Sequence, residues 1–134
     1  TGKDKENRMS NLRVIVCDDS FSVRQSISDI IDKVVGVELV GAAQDGSELI
    51  TNLSNTEVDL VIMDIVMRPM DGLTALRTIK QRFPNQRVAM LSSIAGSSKR
   101  AEEAFRLGAI EVLTKPFDQP KLERLFAQEK LHKK

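Results

Sequence analysis

The sequence predicts an α/β domain built on a doubly wound, five-stranded parallel sheet, and three observations carry that reading. Short apolar runs rich in Val, Ile and Leu occur five times along the chain. Each is followed by a segment whose apolar residues fall at helical spacing. The runs are apolar at consecutive positions, as strands covered on both faces are, and parallel neighbours need a crossover helix between them.

Leu12 to Cys17 is strand one. Ser20 is placed to cap a helix in which Val23, Ile27, Ile30, Ile31 and Val34 share a face before Gly36 stops it. Val37 to Ala43 is strand two, and Ser47 to Leu53 is a short helix with Leu49, Ile50 and Leu53 on one side. Val58 to Met63 is strand three. After the turn Arg68 to Gly72, the positions Leu73, Leu76, Ile79 and Phe83 outline a helix that ends before Pro84. Val88 to Leu91 is strand four, Ser98 to Leu107 is a helix closed by Gly108, and Ile110 to Leu113 is strand five. The last helix runs from about Gln119 to Lys130. Thr1 to Asn11 is charged, lacks apolar periodicity and surrounds Met9, so it reads as a flexible arm or a cloning remnant outside the domain. The domain is therefore 12–131, with a basic tail at 132–134.

Composition narrows the function. At 134 residues and 14.9 kDa the chain fits one domain, and 41% hydrophobic residues are enough for a core without metal or disulfide staples. Lys and Arg number 20 against 19 Asp and Glu, a net charge of +1. With 4% aromatics there is neither a strong basic field nor a stacking platform, which argues against direct nucleic-acid binding. The single cysteine, Cys17, excludes an internal disulfide, no Cys and His cluster suits zinc, and a reducing, cytoplasmic setting fits. Apolar runs are strand-sized, against about 20 residues for a membrane span, and the polar N-terminus looks like no signal peptide.

The polar chemistry gathers at strand ends. Strand one ends in Asp18 and Asp19, strand three in Asp64, strand four in Ser92 and Ser93, and the loop after strand five begins Thr114, Lys115, Pro116. In an open doubly wound sheet these ends share one edge, where ligands bind near a topological switch point. Three carboxylates there repel one another unless a cation neutralises them. Oxygen ligands without imidazole or thiolate suit Mg²⁺, with Mn²⁺ as the alternative. A lysine and a serine hydroxyl complete a surround for a phosphoryl group, and a carboxylate can be its nucleophile.

Cys17-Asp18-Asp19-Ser20, Met63-Asp64-Ile65-Val66-Met67, Leu91-Ser92-Ser93 and Thr114-Lys115-Pro116-Phe117 occur in order, with Asp71-Gly72 and Gly108-Ala109 between them. Together they resemble two-component response regulator receiver domains of the single-domain chemotaxis type, over about Leu12 to Leu131. Ser92-Ser93-Ile94 and Gly108-Ala109-Ile110 further resemble the receivers of chemotaxis methylesterases. The resemblance implies a flavodoxin-like sheet in the order 2-1-3-4-5 and a phosphoacceptor signalling domain rather than an independent enzyme. It implies that Asp64 takes phosphate from a histidine kinase or phosphotransfer protein, and that Asp19, Asp64 and the Val66 carbonyl ligate Mg²⁺ directly, with Asp18 acting through water. Lys115 would contact a phosphate oxygen, Ser92 would move toward the phosphoryl group, and the Lys115–Pro116 bond would be cis. The output would be altered protein binding through helix four, strand five and helix five, by a monomer or a phosphorylation-dependent dimer whose target the sequence does not name.

Some positions depart from the family pattern. Val112 holds the place of the usual switch aromatic, and Arg68 stands where a proline is common, with Pro69 following. Val66 and Ile94 replace residues that often position water, which predicts slow autodephosphorylation. A phosphate-independent interaction module is one alternative, opposed by the intact Asp18, Asp19, Asp64 and Lys115. A phosphohydrolase is another, but paired aspartates separated by one residue are absent from the strand ends, and no P-loop occurs. The last helix, with Leu122, Leu125 and Phe126 before the lysine-rich end, supports a stand-alone receiver; a receiver cut from a larger regulator is the close variant. Cys17 reads as a small core residue, Met63, Met67 and Met70 as packing or turn residues, and His132 as part of the solvated tail.

Overall fold

The computed structural model describes residues 11–93, 98–116 and 118–133. The arm 1–10, Ile94, Phe117 and Lys134 lie outside the described residues. Strands and helices alternate as β1 (Leu12–Cys17), α1 (Phe21–Asp32), β2 (Val37–Ala43), α2 (Gly46–Asn55), β3 (Leu60–Asp64), α3 (Gly72–Arg82), β4 (Arg87–Ser93), α4 (Ser98–Arg106), β5 (Glu111–Lys115) and α5 (Gln119–Lys133). All pairings are parallel, and the sheet order is β2-β1-β3-β4-β5. The expected α/β class and the strand order are both present.

Alternate residues of each central strand divide between two cores. Ile15, Cys17, Val61, Met63, Val88 and Met90 pack with Leu49 and Leu53 of α2, Ala75, Leu76 and Ile79 of α3, and Ala104 of α4. On the other face Leu12, Val14, Val16, Leu60, Ile62, Ala89 and Leu91 meet Ile27 and Ile31 of α1 and Leu122, Leu125 and Phe126 of α5. Both faces are covered, which is why the strands read as unbroken apolar runs. Cys17 and the methionines Met63 and Met67 are buried in the first core, in keeping with a packing role.

Local signals set the helix ends. Ser20 Oγ accepts from the Val23 amide, and Asp45 Oδ1 accepts from the Glu48 amide, so each caps the helix that follows. Gly36 and Gly108 take positive φ angles of 84° and 107° after α1 and α4, a conformation glycine adopts without strain.

The structure corrects several boundaries. β3 begins at Leu60 rather than Val58, because Asp59 is occupied with β1: its amide donates to the Arg13 carbonyl and its carboxylate accepts from the Arg13 amide. β4 runs on through Ser93 and β5 through Lys115, since Ser92 pairs with Thr114 and Ser93 with Lys115. Thr114 and Lys115 are therefore strand residues, not loop residues. α5 continues to Lys133, whose ammonium reaches the Asn11 carbonyl at 2.8 Å and the Asp59 carboxylate at 3.0 Å. No helix among the described residues is long and apolar enough to cross a membrane.

Candidate functional site

Parallel strands deliver their C-terminal residues to one edge, and here the adjacent strands β1 and β3 end beside each other, with Cys17 in register with Met63. Asp18 follows β1 and Asp64 is the last residue of β3. Both are buried, at 0% and 8% exposure, while Asp19 beside them is exposed. One carboxylate oxygen from each of Asp18, Asp19 and Asp64 lies within 4.8 Å of the other two. Lys115 comes in from the end of β5, its ammonium donating to Asp64 Oδ2 at 2.8 Å and to Asp18 Oδ2 at 3.0 Å. The four residues the sequence singles out first are thus brought together.

Asp18 is held at every polar atom. Its amide donates to the Ala43 carbonyl at 3.1 Å, its Oδ1 accepts from the Ser20 amide at 2.9 Å, and its carbonyl accepts from Arg24 Nη1 at 2.7 Å. Burial pushes the Asp18 carboxyl up from the ordinary carboxylate range, the hydrogen bonds from Ser20 and Lys115 pull it back, and the net direction is up. Burial alone would lower the Lys115 ammonium, but its hydrogen bonds to Asp64 and Asp18 prevail and raise it. Lys115 therefore remains a cation at neutral pH. Burial, with nearby Asp45 and Asp18, pushes the Cys17 thiol up to about 12, so it is a core residue and not a nucleophile.

The remaining candidates frame this group. Val66, two residues past Asp64, is 57% exposed, and its amide donates to Asp64 Oδ1 at 3.1 Å. Ser92 is buried at the end of β4, one position beyond the Leu91 that pairs with Asp64, and its hydroxyl donates to the Ser93 carbonyl at 3.3 Å. Val112 lies in β5 opposite Met90, half-buried where an aromatic was the family expectation. The Lys115–Pro116 bond is cis as expected, and Arg68–Pro69 is cis as well, a feature of the displaced proline that the sequence does not announce.

Two contributors receive no role in the sequence reading. Gly72 approaches the backbone of the Asp64 loop so closely that a Cβ there would overlap the Asp64 carbonyl oxygen and lie 2.7 Å from the Ile65 carbonyl oxygen. Arg24, one turn into α1, folds back to the Asp18 carbonyl. The first is signalled only by the Asp-Gly pair at 71–72; the second leaves no signal, because a carbonyl partner imposes no residue type.

Chemically, the group offers hard oxygen donors with one ammonium against three carboxylates. Mg²⁺ takes oxygen ligands at about 2.0–2.1 Å, which sets its ligand oxygens at most about 4 Å apart. The span of Asp18, Asp19 and Asp64 fits such a cation after small side-chain adjustment, and its charge answers the excess of acid.

The family model described as "Response regulator receiver domain" matches residues 14–127. A protein-glutamate methylesterase/protein-glutamine glutaminase of Archaeoglobus fulgidus is 41% identical over 106 residues, covering 78% of this chain and 30% of the relative. One from Geobacter sulfurreducens is 35% identical over 126 residues, covering 94% of this chain and 33% of the relative. The chain thus spans about a third of the length of these curated relatives. Among solved structures, the response regulator domain of Thermotoga maritima CheB superposes with a TM-score of 0.81 at 32% identity, covering 90% of this chain and 97% of that one. The Francisella response regulator 1452 receiver domain gives 0.83 at 26% identity, covering 92% and 100%.

Proposed function

Because the chain belongs to the response regulator receiver family and is a phosphoacceptor domain of two-component signalling, we propose that Asp64 is the residue that accepts the phosphoryl group. The observation that carries this reading is the Lys115 ammonium, 2.8 Å from Oδ2 of a carboxylate that ends a central strand and is only 8% exposed. An Asp64 oxygen attacks phosphorus in line, the bond from phosphorus to the donor nitrogen of a phosphohistidine breaks, and the imidazole leaves with the bonding pair. Lys115 exchanges its contact with Asp64 for one with a phosphoryl oxygen and neutralises charge there. Asp19, Asp64 and the Val66 carbonyl, with Asp18 through water, would hold Mg²⁺, which would supply further positive charge to the same oxygens. Ser92 turns its hydroxyl from the Ser93 carbonyl to the phosphoryl group, moving the end of β4. The added charge of roughly −1.5 to −2 is thereby read at the surface around α4 as altered protein binding.

The donor in this reading is a histidine kinase or phosphotransfer protein. Intact-protein mass after incubation with acetyl phosphate and Mg²⁺ tests the assignment. One phosphoryl adduct, lost in Asp64→Asn and in EDTA, supports it; an adduct that survives Asp64→Asn refutes it.

A second reading concerns the whole protein: the chain is the regulatory third of a methylesterase-type regulator. The names and coverage of the relatives above favour it over a stand-alone receiver. An antibody to this chain should then detect, in source cells, a protein far larger than 14.9 kDa, whereas a band at 14.9 kDa favours the stand-alone form.

A further inference from the structure

The acidic group depends on a peptide plane that no carboxylate controls. Asp18 and Asp19 are joined by one planar unit, so whatever fixes the Asp18 carbonyl also fixes the position of the Asp19 Cα. Arg24 Nη1 donates to that carbonyl at 2.7 Å, a short bond of the charge-assisted kind. The guanidinium is itself kept in place. Its carbon lies 5.7 Å from the centre of the Phe21 ring, and the main-chain amide of Arg24 donates to the Ser20 carbonyl at 3.1 Å in the first turn of α1.

This arrangement runs against simple electrostatics. A permanent positive charge sits on the main-chain carbonyl of a residue whose carboxylate belongs to the group that must attract a cation, and charge alone would place a neutral residue there. What the guanidinium contributes instead is geometry. Asp19 is exposed, yet one of its carboxylate oxygens lies within 4.8 Å of one from Asp18 and one from Asp64.

We propose that Arg24 is a positioning residue for metal capture, gripping the Asp18 carbonyl so that the Asp18–Asp19 peptide presents Asp19 to the cation. The inference rests on the metal-assisted phosphoacceptor reading of the same site. Charge and geometry make opposite statements about removing the guanidinium: loss of a repelling charge would tighten cation binding, whereas loss of the grip would weaken it.

The test uses Mn²⁺ binding by electron paramagnetic resonance of the free ion, beside acetyl phosphate labelling across a Mg²⁺ titration. Arg24→Met keeps the aliphatic stem and removes the donor; Arg24→Lys keeps charge and stem but loses the planar fork. We expect Arg24→Met to raise the Mn²⁺ midpoint about tenfold, in the range usual for losing a group that orients a metal ligand. Arg24→Lys should fall between it and wild type. Labelling should show the same shift in Mg²⁺ requirement, with the rate recovering as Mg²⁺ approaches saturation. A midpoint that is unchanged or lower overturns the proposal, as does a uniform fall in labelling at every Mg²⁺ concentration, the mark of a structural role alone. Circular dichroism checks folding. If Arg24→Met does not fold, an Arg24→Lys midpoint above wild type supports the proposal and an unshifted one overturns it. A wild-type protein that neither binds Mn²⁺ nor labels defeats the phosphoacceptor reading itself, and the inference with it.

Discussion

Lys115 and Asp18 meet at 3.0 Å across 97 positions of sequence, and the carboxylate in that pair has no solvent exposure. The same ammonium holds Asp64. Removing it leaves two buried or nearly buried carboxylates facing each other. We expect Lys115→Met to lower stability in the absence of divalent metal by about 1–2 kcal/mol, less than for a fully buried pair because Lys115 keeps some exposure. Mg²⁺ should restore much of the loss by binding the folded state. The ammonium is raised in the folded state, so its contribution is present below the ordinary lysine value of 10.5 and is lost as pH rises through the raised value. Urea denaturation of both proteins, with and without Mg²⁺ and from neutral to alkaline pH, measures each effect.

Asp18 is also raised, but here it is the uncharged form that folding favours. Burial raises its folded-state value above 3.8, so folding favours its protonated form. Its contribution is present below 3.8 and is lost as pH rises through the raised value. Asp18→Asn removes the cost of holding this charge, and without metal it should be more stable than wild type by about 1 kcal/mol at neutral pH, or about 3–5 °C in Tm for a domain of this size. The advantage should vanish at acid pH and grow as pH rises. Adding Mg²⁺ should erase it if, as proposed, Asp18 helps to hold the cation. Thermal melts in EDTA and in Mg²⁺ over a pH series decide this; a variant less stable than wild type in EDTA at neutral pH would count against it.

Gly72 governs the site through contact rather than charge. Its amide donates to the Ile65 carbonyl at 2.7 Å, and any Cβ would strike the backbone that carries Asp64. Gly72→Ala should therefore cost about 1–3 kcal/mol, the range for overpacking, and slow Asp64 labelling as the loop is pushed aside. Denaturation midpoints together with acetyl phosphate labelling rates provide the check.

Much of this was legible in the sequence for a physical reason. Strands covered on both faces must be apolar throughout, and the three acidic residues that terminate two such runs must share an edge once the strands are parallel. What stayed hidden was whatever the backbone mediates. Thr114 and Lys115 look like loop residues because they are polar, yet they stay paired with Ser92 and Ser93, since a hydrogen-bond ladder does not stop where apolarity stops. The strand order came from family resemblance and not from hydrophobicity, which is the same for any permutation of equally apolar strands. Arg24 was missed because a guanidinium bound to a carbonyl leaves no trace in the residue type at position 18.

The opposite end of the sheet offers an internal control. Arg87 opens β4 beside Leu60, the first residue of β3, whereas Asp64 closes β3. Arg87 Nε and Nη2 donate to the two carboxylate oxygens of Glu129 in α5, at 2.5 and 3.0 Å, and Glu129 is only 4% exposed. Arg87→Ala strands a buried charge and should cost about 3 kcal/mol or more, while replacing both residues by leucine should be close to neutral. Neither change should alter the Mg²⁺ requirement for labelling. Calorimetry on the two variants, with labelling in parallel, would show whether stability and site chemistry are separable here.

The lifetime of the phosphorylated form follows from what stands next to Asp64. Hydrolysis needs a water aligned behind phosphorus, and a polar side chain near the acceptor can orient it. Val66, two residues on and 57% exposed, carries no hydrogen-bonding side chain. Wild-type phosphoprotein in Mg²⁺ should therefore decay slowly, and Val66→Asn should shorten its lifetime severalfold by giving water an anchor. The amide of residue 66 already binds Asp64 Oδ1 through the backbone, so this substitution leaves that contact in place and changes only the side chain. Decay of the adduct is followed by intact mass after acetyl phosphate is removed. Equal lifetimes for the two proteins would mean that Val66 does not control water at the acceptor, and rapid decay of both would remove the basis for a long-lived signal.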